Sequence, residues 1–160
     1  MPQTSTSSNA FLAIFWGGLV CGILDITQAI VAWHFQTGAR PIRIWQSVAV
    51  GLLGPKAFQG GMKTALLGGV LHFFIAFSWA TIYYLASRRL AFMIEKPVLS
   101  GLLFGELVWL VMNFVVIPLS ATHRPPWRAA AIITGPIGHL FLVGLPIAWA
   151  IRRWAPRNFS

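Results

Sequence analysis

Four apolar runs divide the chain, at residues 10–34, 64–86, 97–119 and 127–151, and polar or glycine- and proline-containing stretches separate them. At about 1.5 Å of helical rise per residue, each run is long enough to cross a hydrocarbon core of roughly 30 Å. The pattern therefore predicts an all-α integral membrane bundle of four spans forming a single domain over 10–151. Residues 1–9 are polar and read as a disordered N-terminus, and residues 152–160 form a basic tail. The N-terminal stretch carries no Lys or Arg and leads into a run too long for a signal-peptide core, so the first run reads as an uncleaved span. Between the first two runs, Pro41 is placed to start a helix over 41–53 that Gly54-Pro55 stops. Its apolar part is too short to span, which predicts an interfacial or re-entrant helix with Arg43 and Trp45 at headgroup level.

The informative positions are those that break the apolar pattern. Asp25 and Gln28 lie in the first span, His72 in the second, Glu106 and Asn113 in the third, and His139 in the fourth. Counted from the face that carries the loops after spans one and three, Asp25, His72, Glu106, Asn113 and His139 fall in one layer roughly 10 to 20 Å deep. Ionisable groups in hydrocarbon are costly, so they face a bundle interior and find partners there. Glu106 and Asn113 are two turns apart on the third span, which predicts one inward face for both. Gly18 and Gly22, in line with Asp25, and Gly101 with Gly105 form small-residue stripes that permit close helix packing within the chain or between copies. Tyr83 and Tyr84 read as an aromatic belt at the end of the second span. Pro118 weakens the end of the third span, and Gly135-Pro136 and Gly144-Leu145-Pro146 predict kinks or local unwinding in the fourth.

Composition narrows the class further. With 57% hydrophobic and only 9% charged residues, the chain lies outside the range of soluble domains. Its net charge of +9 comes from Lys and Arg in the gaps between apolar runs and in the tail, where they anchor and orient a membrane protein. No segment is long enough to form the basic face that nucleic acid would need. The lone cysteine, Cys21, excludes an intrachain disulfide. Four spans put both termini on one side. The Lys and Arg count is equal on the two faces, and the pairs Arg88-Arg89 and Arg152-Arg153 at helix ends favour cytoplasmic termini.

Three chemistries fit the polar layer. A proton-responsive or solute-permeating site would use Asp25, Gln28, His72, Glu106, Asn113 and His139. The same residues could act only as hydrogen-bonding contacts between helices, leaving a structural or assembly partner of another membrane protein. Haem is the third, with His72 and His139 as axial ligands; a two-histidine, one-carboxylate metal site would add Asp25. His34 and His123 lie at membrane edges and face water. No nucleophile elbow, zinc-protease motif, phosphate loop or cysteine cluster is present, so the reading is of a non-enzymatic protein. Lipid is the expected surrounding, with a homo-oligomer or a membrane protein as partner.

Three blocks, LHFFIAFSWATIYY (71–84), SGLLFGELVWLVMNFVVIPLSATHRPPW (100–127) and GPIGHLFLVGLPIAW (135–149), resemble the YagU-like group of small bacterial inner-membrane proteins, a family without an assigned biochemical function. GGLVCGILD in the first span is similar more loosely. The resemblance implies a bacterial inner-membrane location and in-span histidines, carried by His72 and His139. The segment 35–63 departs from the family pattern.

Overall fold

In a computed structural model, residues 4–122 and 129–154 are described, and among them every regular element is helical. His123, Arg124, Trp127, Arg128 and Arg157 lie outside the described residues. Helix α1 runs Thr4–Thr37, α2 Pro41–Leu53, α3 Gly61–Ser87 and the single turn α4 Phe92–Glu95. A 3-10 turn, Gly54–Gln59, joins α2 to α3. The third span begins as α5, Pro97–Val111, widens into a π turn at Met112–Val116 and ends in α6, Ile117–Leu119. The fourth comprises α7, Ala129–Gly138, a π turn at His139–Gly144, and α8, Leu145–Trp154. Four helices are long and apolar enough to cross a membrane: Asn9–Thr37, Gly61–Ser87, Pro97–Leu119 and Thr134–Trp154. The all-α bundle expected from the apolar pattern is the observed architecture.

Helix α1 starts at Thr4, inside the stretch expected to be disordered. The reason is cooperative: once a long helix exists, each added residue gains a hydrogen bond without a new nucleus, and 4–9 contains no Gly or Pro to stop it.

The spans run up, down, up and down, and their small residues set the contacts. Gly18 faces the Phe77 ring, and a Cβ at Gly22 would meet the Phe73 ring at 2.8 Å, so α1 and α3 pack antiparallel. Gly17 faces Ile147 and Ala150, joining α1 to α8. On α5, Gly101 and Gly105 press on the backbone of the fourth span at Gly144 and His139; a Cβ at Gly105 would overlap the His139 carbonyl, and one at Gly101 would be a tight 3.0 Å from the Gly144 carbonyl oxygen. The glycines of spans one and three are thus occupied inside the chain, which removes them as contacts between copies. Tyr83, Phe104, Val143, Ile147 and Ile151 fill the core toward the face carrying the termini.

Tyr83 is fully buried and so is no part of an aromatic belt. Its hydroxyl donates to the Met93 carbonyl at 3.0 Å and lies 2.8 Å from Ser100 Oγ, tying α3 to the chain on both sides of Glu95. Each π turn precedes a proline by two residues, Pro118 in one span and Pro146 in the other. A proline ring clashes with the carbonyl one turn back and supplies no N–H; the wider turn moves that carbonyl aside. The expected weakening of the third span is therefore realised upstream of Pro118, while Pro136 lies within α7 and does not interrupt it.

The segment 41–53 is a helix, as the proline and glycine signals predict, and it folds across the start of α3. Trp45 turns inward, not toward the headgroups: its ring covers Gly69 and meets His72 edge-on with centroids 6.0 Å apart. Gly68 lets the Trp45 carbonyl approach α3 more closely than any side chain would permit. Gln46, buried, donates to the Gly61 carbonyl at 3.0 Å, and the Ala121 amide donates to the Gly51 carbonyl at 2.9 Å, so α2 is fixed to α3 and to the end of the third span.

Candidate functional site

Between α1, α2, α3 and the third span lies a cavity of about 1030 Å³, reaching from Arg40, Arg43 and Thr122 at the loop face down to Cys21, Asp25, His72 and Trp79. A second cavity, about 230 Å³, lies along α1 against α7 and the third span. It is lined by Gln28, Gln36, Asn113 and Thr134 among others, and is the more polar space. Asp25 and His139 line both cavities. They form part of the partition between the two.

The geometry of this pair follows from helix chemistry. His139 opens the π turn, and its Nδ1 lies 2.9 Å from the Gly135 carbonyl, one turn back on α7. A carbonyl only accepts, so Nδ1 carries the hydrogen and Nε2 is the nitrogen that meets Asp25. Asp25 Oδ1 stands 3.9 Å from that Nε2, within ion-pair range and beyond a direct hydrogen bond. Their side chains are 25% and 19% exposed, so both reach cavity space. One proton can serve the two groups, as a carboxylic acid facing neutral imidazole or as imidazolium facing carboxylate. Among the described residues, Asp25 has no side-chain hydrogen bond of its own.

The structure distributes the other expected residues unequally. His72 donates Nε2–H to the Gly22 carbonyl of α1 at 2.8 Å and lines the large cavity. The Gln28 carboxamide packs on Gly138 and lines the small one. Asn113 donates to the Trp109 carbonyl of its own helix at 2.9 Å, so it bridges no helices by that bond. Glu106 is the departure from expectation. It is half-buried, lines neither cavity, and no described residue hydrogen-bonds it. One helical residue is 100° of rotation, and Gly105 faces the fourth span, so the adjacent Glu106 is carried around the helix. Trp109 occupies the face between Glu106 and Asn113, with its indole nitrogen 2.6 Å from where a Gly135 Cβ would stand.

Gln36 and Thr134 belong to the small cavity and carry no signal as isolated residues. Gln36 does continue the 25, 28, 29, 32 stripe of α1 at helical spacing, a signal readable once Asp25 is taken as inward. His72 and His139 each commit one ring nitrogen to a backbone carbonyl. Among the described residues no three His, Cys, Asp or Glu side chains converge closely enough to hold a metal ion, so Asp25, His72 and His139 do not form the facial triad. His34 is exposed, with Nδ1 at 3.2 Å from the Ala39 carbonyl. No family model, curated protein or solved structure matches the chain.

Proposed function

We propose that this is a multi-pass membrane protein that binds a small solute in its large cavity and passes it, or protons, under control of the Asp25–His139 pair. The observation that carries the reading is that these two titratable side chains line both cavities. A concave, mainly apolar space with a few polar groups at one end is the usual form of a ligand site. Intramembrane acid and imidazole groups in contact are the usual form of a proton relay. The resemblance to the YagU-like group and the arginine pairs at Arg88-Arg89 and Arg152-Arg153 support a bacterial inner membrane with cytoplasmic termini. The test is reconstitution into liposomes with an imposed pH gradient. Proton or solute flux is expected from the native chain and lost in Asp25→Asn; flux equal in the two sinks the reading.

A second reading, a partner in a membrane assembly, is favoured by Glu106. This acid has no bond inside the described chain and lies on the span with the smallest buried share, 17%. Co-purification of another membrane protein, or self-association lost on changing Glu106, is its signature. The haem reading requires a coloured protein, and a colourless preparation dismisses it.

A further inference from the structure

We infer that the solute is a lipophilic organic cation, bound by the Asp25 carboxylate and exchanged there against a proton; this rests on the cavity reading above and names its substrate class. The charge inside the cavity decides the class. Asp25 is the acidic side chain lining it, deep among apolar walls, where a charge acts through low dielectric. Arg40 and Arg43 stand exposed at the loop-face rim, where solvent and ions screen them. Arg43 is further engaged by the Phe58 carbonyl at 3.2 Å and by the Phe58 ring 5.0 Å below its guanidinium. An anion entering the cavity would meet the carboxylate, whereas a cation gains it. Trp33 and Trp79 also line the space, and aromatic rings beside a cation favour it.

The neighbours of Asp25 supply the exchange. On its own helix lies Cys21, buried and donating to the Gly18 carbonyl at 3.4 Å. From α3 comes His72, whose Nε2–H is held by the Gly22 carbonyl. From the fourth span comes His139, with Nε2 at 3.9 Å. From α2 and its preceding loop come only the rim arginines, and from α5 Glu106 lines neither cavity. With Asp25 protonated the site is neutral. On cation binding the carboxyl proton leaves to water in the small cavity, which Asp25 and His139 both line, and the carboxylate and cation remain as a pair. One proton released for one univalent cation bound keeps the charge balanced.

Two probes of the same shape and opposite charge, tetraphenylphosphonium and tetraphenylborate, separate the possibilities on the full chain in detergent. The phosphonium is expected to bind at pH 8 and to be displaced by acid, followed by equilibrium dialysis. Asp25→Asn is expected to weaken it at least about tenfold, with Asp25→Glu restoring binding and so guarding against a merely misfolded variant. Equal affinity for both probes, or phosphonium binding indifferent to Asp25→Asn in a folded variant, overturns the cation assignment and leaves the cavity reading standing. Binding of neither probe overturns both.

Discussion

Toward the face that carries the termini the spans close backbone against backbone, while toward the loop face they part around a cavity. The two regions use the same helices. What differs is the residue at each crossing. At the closed end, Gly101 and Gly105 of α5 meet Gly144 and the His139 backbone, and Tyr83, Phe104 and Ile147 fill what remains. At the open end, α2 folds across α3, and the third span widens at Met112–Val116 instead of closing on α1. Without a hydrophobic force between helices in lipid, close backbone approach is the main source of affinity between spans. The glycines of α5 and the fourth span therefore decide where those two spans close, and the parting of the third span from α1 beyond them leaves room for a solute.

The largest effect tests the solid end. A Cβ at Gly144 would overlap the Gly101 carbonyl and stand 2.7 Å from the Gly105 amide. Gly144→Val should destabilise by at least about 3 kcal/mol, since main-chain atoms on a helix cannot move aside as a flexible side chain can. Denaturant unfolding in detergent measures it, and Gly69→Ala is the control, because its nearest neighbour is the Trp45 ring at an ordinary 3.6 Å. Equal loss in the two would remove the distinction between a packed seam and an accommodating surface.

Next in size is Gly68→Ala, at the open end. The new methyl would overlap the Trp45 carbonyl, so α2 must lift from α3 at a cost of about 1–3 kcal/mol. Hydrogen exchange should rise over 41–53 and stay unchanged over 97–111, with probe binding lost together with the cavity wall. Uniform exchange across both segments would mean that the two ends fold as one unit. Tyr83→Phe, back at the closed end, is smaller. It removes a hydroxyl bonded to Met93 and Ser100, but Ser100 keeps the Lys96 carbonyl at 2.9 Å, so a loss of about 1 kcal/mol is expected in the same denaturation assay.

The spans and the short helix at 41–53 are legible from run length and proline placement, and depth puts Asp25 and His139 in one layer with His72, Glu106 and Asn113 without singling out the pair. These depend on period and rise, which the chain itself carries. The inward face of the third span is not legible in this way. Counting seven residues put Glu106 and Asn113 on one side, but which side meets a neighbour is set by Gly101 and Gly105, one rotation step away from Glu106. Tryptophan is common at headgroup level, which is why the sequence alone places Trp45 there; Gly68 and Gly69, twenty-odd residues on, make the recess that takes it. The π turns were legible only as unrest around prolines. Whether a helix kinks, unwinds or widens depends on which neighbour can receive the displaced carbonyl, and that is a property of the packed bundle.

The smallest expected effect is Glu106→Gln, and it bears most directly on the separation of the two regions. Glutamine keeps the shape of the side chain and removes its charge and its acidic proton. Because Glu106 lines neither cavity and no described residue hydrogen-bonds it, stability should change by no more than about 0.5 kcal/mol. Phosphonium binding and its displacement by acid should match those of the native chain. A fall comparable to that of Asp25→Asn would mean that Glu106 communicates with the solute, and the cavity would then have to extend across the third span. Unchanged binding combined with lost self-association in light scattering would instead give Glu106 its partner on a second copy. The carboxylate that solutes meet and the carboxylate that partners meet would then be Asp25 and Glu106.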